Sequence, residues 1–218
     1  MAIDPTLRDA LSAVTTASIG RALERAGLRD FAPANLTGRS SSGTTVVGPA
    51  HTLRMVPARG EGIGDLSTAI ESVPEGAVVV IDAAGTGRPL PFGAILAGRL
   101  SSRGAVALVT DASFGETVGL PVWSSPGSAA GGLTLAGSWQ PVACGGAAVH
   151  PGDIVVCGPD GIVVVPPNLA EQIALEAVEQ QRLDLWLQRE AEKGTSLYGL
   201  LPPDSAALAR FEAETGTA

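Results

Sequence analysis

The sequence predicts an α/β fold, and three observations carry that expectation. Apolar runs at 77–81 and 105–109 flank a helical stretch running from Pro91 to about Arg103. Continuous runs such as Val78-Val79-Val80-Ile81 suit strands buried on both faces, and a helix between two of them is the pattern of a parallel crossover unit. Farther on, Gly158-Pro159-Asp160-Gly161 separates two more apolar runs, and a Pro-Asp-Gly sequence supplies the fixed φ and glycine freedom of a tight hairpin turn.

The remaining elements follow in order. Asp4-Pro5 has the form of an N-cap with proline at the first helical position, and Leu7 and Leu11 lie one turn apart behind it. A second short helix is predicted from about Thr16, with Ile19 and Leu23 on one face and Gly27 as its stop. Residues 33–43, rich in Pro, Gly, Ser and Asn, are expected to form a loop. Segments 44–47 and 51–56 are predicted strands broken at Gly48-Pro49. The second half turns antiparallel, with strands expected at 121–124, 141–149, 153–157 and 162–165. Asn168 with Glu171 resembles a capping box, opening a helix with Leu169, Ile173 and Ala177 on one face. It runs toward Gly194, and Pro202-Pro203-Asp204 introduces a short terminal helix. One domain over 1–218 is expected, with N-terminal helices at 1–30, an α/β core at 44–166 and C-terminal helices at 167–218.

Composition excludes several classes of function. The formal charge is −8, so there is no basic footprint for nucleic acid or an anionic membrane. Lys193 is the only lysine and falls near the end of a surface helix, a poor place for a Schiff base. Cys144 and Cys157 lie in apolar runs without metal-ligand spacing and are expected to be buried thiols. No apolar stretch approaches the roughly 18 residues of a membrane span, and Met1-Ala2-Ile3-Asp4-Pro5 does not resemble a signal peptide. A cytoplasmic location is expected.

Candidate chemistry gathers between Phe92 and Glu116. Gly93, Ala94, Ile95 and Leu96 open a helix, so their N–H groups point outward and can hold a carboxylate or enolate with help from the helix dipole. Arg88, five residues before Gly93, could add a bidentate contact. Asp111 ends a buried strand and could either orient the next loop through backbone N–H groups or serve in catalysis. Glu116 follows in a turn of small residues, where one carboxylate with waters and substrate oxygens is enough to hold Mg²⁺. A solvated loop glutamate is the plainer alternative. His51 and His150 have no metal spacing and are expected to be strand or turn histidines. Gly62-Ile63-Gly64-Asp65 lacks the strand and third glycine of a dinucleotide fingerprint, and Ser113 has no nucleophile-elbow motif.

In order and spacing, these pieces resemble the RraA-like proteins, which include 4-hydroxy-4-methyl-2-oxoglutarate aldolases, ribonuclease regulators and proteins once labelled demethylmenaquinone methyltransferases. The resemblance rests on Thr16-Ala17-Ser18-Ile19, Gly48-Pro49-Ala50 with Thr52, the strand ending in Asp82, and Gly93 with Leu96-Ala97. It continues through Arg103-Gly104, Val109-Thr110-Asp111, Cys144-Gly145-Gly146, Val149-His150-Pro151-Gly152-Asp153 and Asp160-Gly161 with Val163-Val164-Val165-Pro166. It implies an α/β core with central β-sandwich-like sheets, flanking helices and a C-terminal helical extension, assembled as a homotrimer or homohexamer. It further implies a small carboxylate or oxo-acid substrate cleaved or decarboxylated to pyruvate with a divalent metal, Mg²⁺ or Mn²⁺, that polarises the keto group and stabilises the enolate.

Carried over residue by residue, the family's substrate-binding turn falls on Gly93, Ala94, Ile95 and Leu96, and its acidic metal ligand on Glu116. Its substrate-gripping arginine falls on Gly115, and Ala94 stands where an acid usually follows the glycine. Arg21 occupies a position that is usually Asp. Arg88 matches an arginine often found before the turn, and Asp184 or Glu190 could correspond to an acid that a neighbouring subunit's C-terminal helix supplies. Removing a bidentate arginine from an anion site costs on the order of 10- to 100-fold in rate or affinity. Three readings follow: a divergent metal-dependent lyase, an enzyme of altered, metal-independent chemistry, and a non-catalytic protein-binding regulator.

Overall fold

The computed structural model describes residues 3–39, 43–60, 62–115, 119–127 and 130–216. The strands are β1 (Thr37–Gly38), β2 (Val46–Pro57), β3 (Val78–Asp82), β4 (Ala107–Ser113), β5 (Val122–Ser125), β6 (Leu133–Ser138), β7 (Val142–Cys144), β8 (Ala147–Val149), β9 (Ile154–Gly158) and β10 (Gly161–Val165). The helices are α1 (Pro5–Ser12), α2 (Thr16–Arg25), α3 (Leu66–Glu71), α4 (Gly93–Ser102), α5 (Ala170–Glu192) and α6 (Ser205–Thr215). The frame is a sheet with strand order β1-β5-β4-β3-β2-β9-β10, and β6 pairs on β2 off this path. Strands β7 and β8 form a separate hairpin. The expected α/β class is the one observed.

The long strand β2 organises the rest. Its first residues pair antiparallel with β9, Val46↔Cys157 to Pro49↔Ile154, and from Ala50 it pairs in parallel with β3. The expected break at Gly48-Pro49 is therefore a change of partner inside one continuous strand. Proline lacks the N–H that a ladder would use, and it sits where the ladder changes sides. Gly48 is required by space, since a Cβ there would lie 2.5 Å from Gly76 O.

Alternate side chains of β2 face opposite layers, as the period of a strand demands. Val47 meets α1, α2 and α5, while Leu53 and Met55 meet α3 and α4. Ala50 faces an interior shared by β3, β4, β9 and β10 and closed by the β7–β8 hairpin, where both cysteines lie buried. This interior gives the sheet its sandwich-like character. Burial pushes the Cys157 thiol up, and burial followed by the Asp111 charge does the same for Cys144, so both are packing groups rather than nucleophiles.

Local expectations held where capping or turn chemistry was explicit. Asp4 Oδ1 accepts from the N–H groups of Thr6 and Leu7 at 2.9 and 3.1 Å, and the Pro159-Asp160 turn joins Gly158 to Gly161 as paired strand ends. Other expectations require correction. The single strand expected at 141–149 is the β7–β8 hairpin, turned by Gly145 and Gly146 at φ 57° and 82°. The capping box at Asn168 and Glu171 does not form: a short 3₁₀ turn, Pro167–Leu169, precedes α5, and no side chain caps either start. The loop expected at 33–43 includes β1, and its residues 40–42 lie outside those described. Among the described residues no helix is long and apolar enough to cross a membrane.

Replacing Gly48 by Ala should lower stability by about 1–3 kcal/mol, because the intruding methyl meets backbone rather than a yielding side chain. Urea unfolding followed by circular dichroism would show this as a lower midpoint with an unchanged slope.

Candidate functional site

The carboxyl ends of the parallel strands β2 to β5 form one edge of the sheet, where open α/β sheets place their ligands. Asp111 near the end of β4 fixes this edge. Its Oδ1 accepts the Ala83 N–H at 2.5 Å and its Oδ2 accepts the Gly85 N–H at 2.8 Å, while Asp82 Oδ1 accepts the Ala84 N–H at 2.7 Å. The turn after β3 is thus tied down amide by amide, with Ala84 and Gly85 both at positive φ. Of the two roles expected for Asp111, these contacts are those of loop orientation. Burial raises its carboxyl above the ordinary range, against the lowering effect of the backbone donors.

Beyond this turn the chain crosses the end of β4. Ser113 N donates to Arg88 O at 2.9 Å, and Leu90 N donates to Ser113 O at 3.0 Å. The expected helix then begins at Gly93, after Phe92 in a left-handed conformation at φ 53°, two residues later than Pro91. Gly93 packs directly on the end of β4, since a Cβ there would fall 2.9 Å from Phe114 Cε2. A side chain there would have to displace the Phe114 ring, and the contact brings the α4 start beside Phe114. Leu96 is buried in the core under α4, whereas Ala94 and Ile95 are exposed.

The structure therefore brings Gly93, Ala94, Ile95 and Gly115 to one edge, next to the end of the strand that carries Asp111. Arg88 is half-buried on the same crossing segment, and its Nη1 donates to Gly132 O at 3.2 Å across Gly131. Its guanidinium is thus anchored on the loop before β6. No described residue comes within 4 Å of where a Gly115 side chain would begin. Glu116 lies outside the described residues.

Among the described residues no three His, Cys, Asp or Glu side chains gather as a metal cage, and both Asp111 oxygens are committed to backbone N–H groups. Glu116, the residue expected to hold a metal, is outside the described residues, and a single carboxylate of its type is a hard oxygen ligand that Mg²⁺ takes with waters and substrate oxygens. Lys193 caps the end of α5 and pairs with Glu190. His51 is buried in β2 against Trp139 and His150 sits in the turn before β9, each a strand or turn histidine. Burial lowers the His51 pKa, which keeps the ring neutral.

The two C-terminal acids considered for the site are both occupied within the chain. Asp184 accepts from Arg21 Nη1 at 2.7 Å and from Gln180 Nε2 at 2.9 Å. Glu190 is buried and accepts from Lys193 Nζ at 2.8 Å, from Thr195 Oγ1 at 3.3 Å and from Arg210. The latter cluster clasps α6 to α5, with Arg210 also lying over the Trp186 ring. Sequence reasoning missed a further group at the sheet edge, Arg54, which stands opposite Asp82 on β2. Nothing local in the sequence marks it, because the pairing with Asp82 comes from the register of β2 on β3.

Residues 6–164 match the RraA-like family, described as Aldolase/RraA. The chain belongs to this family. A relative from Halalkalibacterium halodurans, named as a candidate 4-hydroxy-4-methyl-2-oxoglutarate aldolase, is 30% identical to this RraA-like chain over 152 residues, 64% of this chain and 68% of the relative. The crystal structure of Streptomyces coelicolor RraAS2, titled an unusual member of the RNase ES inhibitor RraA protein family, is 28% identical. It superposes with a TM-score of 0.73 over 86% of this chain and 98% of its own. An uncharacterized protein from Pseudomonas syringae pv. tomato shares the fold at 23% identity, with a TM-score of 0.76 over 94% of this chain and 96% of its own. The match to the RraA-like family ends at 164, so α5 and α6 follow it.

Two tests address this frame. Asp111→Ala strands two N–H groups and should cost about 2–6 kcal/mol of stability, read by chemical denaturation, at roughly 1–3 kcal/mol per orphaned donor. The Lys193 hydrogen bond, and then the Arg210 one, hold the Glu190 carboxyl below the ordinary glutamate range. A depressed folded pKa means that the clasp is complete above the ordinary value and is lost as pH falls through the lower, folded one. Glu190→Gln should therefore speed amide exchange in α6 at neutral pH, and acid should narrow the gap between variant and parent.

Proposed function

We propose that this chain is a divergent metal-dependent lyase that releases pyruvate from a small oxo acid by C–C cleavage or decarboxylation. The observation that carries the reading is the start of α4, seated on the end of β4 in a chain of the Aldolase/RraA family. The outward N–H groups of Gly93, Ala94 and Ile95 are placed to take the substrate carboxylate, and the helix dipole favours the negative charge that develops as the bond breaks. Arg88 adds positive charge from the neighbouring loop. A divalent metal, Mg²⁺ or Mn²⁺, held by Glu116 would polarise the keto oxygen. The relative from Halalkalibacterium halodurans supports the same substrate class through its name.

Ala94 and Gly115 set this site apart from the usual pattern. Without the arginine, a substrate with a second carboxylate on its leaving portion loses its strongest partner, so a less charged oxo acid suits the site better.

Pyruvate formation should be measured with oxaloacetate and a panel of 4-hydroxy-2-oxo acids, with and without Mg²⁺ or Mn²⁺. Turnover should need the metal, and Glu116→Ala should abolish it; absence of turnover across the panel together with no metal uptake would refute the proposal. The double change Gly115→Arg with Ala94→Asp should raise activity on 4-hydroxy-4-methyl-2-oxoglutarate by about 10- to 100-fold, the value of one charge-assisted contact. No described residue blocks the first carbon of the new side chain at Gly115.

A further inference from the structure

A second cavity lies at the carboxyl edge of the sheet, on the interior side of the turn after β3. It encloses about 580 Å³, within the general range of small-molecule sites. Much of its wall is small: Ala34, Ala84, Gly85, Ala143, Gly145 and Gly146 leave the space open. Its charged groups are Arg54, Asp82 and Asp111, one from each of three adjacent parallel strands.

These groups are not equivalent. Asp111 is saturated by the Ala83 and Gly85 N–H groups. Asp82 is 6% exposed and uses Oδ1 for the Ala84 N–H, while its Oδ2 receives no hydrogen bond from any described residue. Arg54 stands opposite Asp82 in the parallel register, yet among the described residues it forms neither an ion pair nor a side-chain hydrogen bond. The cavity thus offers an unused guanidinium fork and an unused carboxylate oxygen on neighbouring strands, above a second fixed negative charge.

The ligand chemistry follows from that charge pattern. A simple carboxylate on Arg54 would lie against two carboxylates, and a simple amine on Asp82 would leave the guanidinium without a partner. A molecule with both charges satisfies both groups, since Arg matches a carboxylate bidentately and a desolvated carboxylate favours a cation. We propose that this cavity binds a compact zwitterion, an amino acid or amino-acid-like metabolite, with its carboxylate on Arg54 and its ammonium on Asp82. The site is distinct from the helix-start amides, and its occupancy does not require that oxo acids turn over.

The test is calorimetric titration of the full chain with the standard amino acids, and with propionate and ethylamine as the separate charged halves. At least one amino acid should bind saturably and more tightly than either half. Arg54→Gln and Asp82→Asn should each weaken that binding by about 10- to 100-fold. The amide introduced by Asp82→Asn keeps a carbonyl oxygen for the Ala84 N–H, and Arg54 is exposed, so neither change removes a loop contact. No saturable binding by any amino acid, equal binding by propionate alone, or binding that survives both substitutions would overturn the proposal. Because the readout is binding, an inactive lyase would leave this result intact, and the reverse also holds.

Discussion

The divided pairing of β2 is the constraint on which the architecture depends. One strand of twelve residues serves β9 at its start, β3 along its middle and β6 at its end. The sheet can fold back on itself only because the partner changes at Gly48-Pro49 without the strand ending. A proline cannot donate where the ladder switches sides, and a glycine is the one residue that clears Gly76 O. Along this strand the odd-numbered side chains Val47, Leu53 and Met55 face helices and Ala50 faces the interior, because successive side chains must face opposite ways. The buried cysteines, the buried neutral His51 and the exposed Arg54 are consequences of the same register.

The second dependency is electrostatic and local. Asp82 and Asp111 take three successive backbone donors of the turn after β3, the N–H groups of Ala83, Ala84 and Gly85. A turn with two left-handed residues is costly to hold, and carboxylates accepting N–H groups in a buried setting are strong enough to hold it. The chain then continues past Arg88, where backbone hydrogen bonds between Ser113 and Arg88 and Leu90 tie it to the end of β4 ahead of α4. Ala84 and Gly85 of the same turn also line the cavity that holds Arg54 and Asp82.

How much of this was legible in the sequence depended on whether the signal was local. The Pro-Asp hairpin, the Asp4 cap and the buried runs of β3 and β4 are fixed by residues within a few positions of one another, and the sequence reading matched them. The partner change at Pro49 reads locally as a strand break because proline and glycine carry the same meaning in both cases, and only the distant β9 distinguishes them. The β7–β8 hairpin reads as one strand because Gly145-Gly146 sits in a continuous apolar run. Strand β6, with mixed burial along Leu133–Ser138, carries no clean alternation and gains its place from β2. At the site, Gly93 and Asp111 could be named from spacing, while Arg54 could not, since its importance arises from standing opposite Asp82 in the register of β2 on β3.

The acids Asp184 and Glu190 of the C-terminal helix α5 are paired within the chain. Arg21 takes Asp184 as an internal partner, and Glu190 is consumed by Lys193 and Arg210. Freeing either acid for a neighbouring subunit would strand an arginine. Exposed pairs are weak, on the order of 0–1 kcal/mol, so Asp184 could exchange partners at little cost. Glu190 could not, because its carboxylate is held by three donors and joins α6 to α5. Releasing Glu190 would therefore open the α5–α6 clasp, whereas releasing Asp184 would leave only Arg21 on the surface of α2 without its partner.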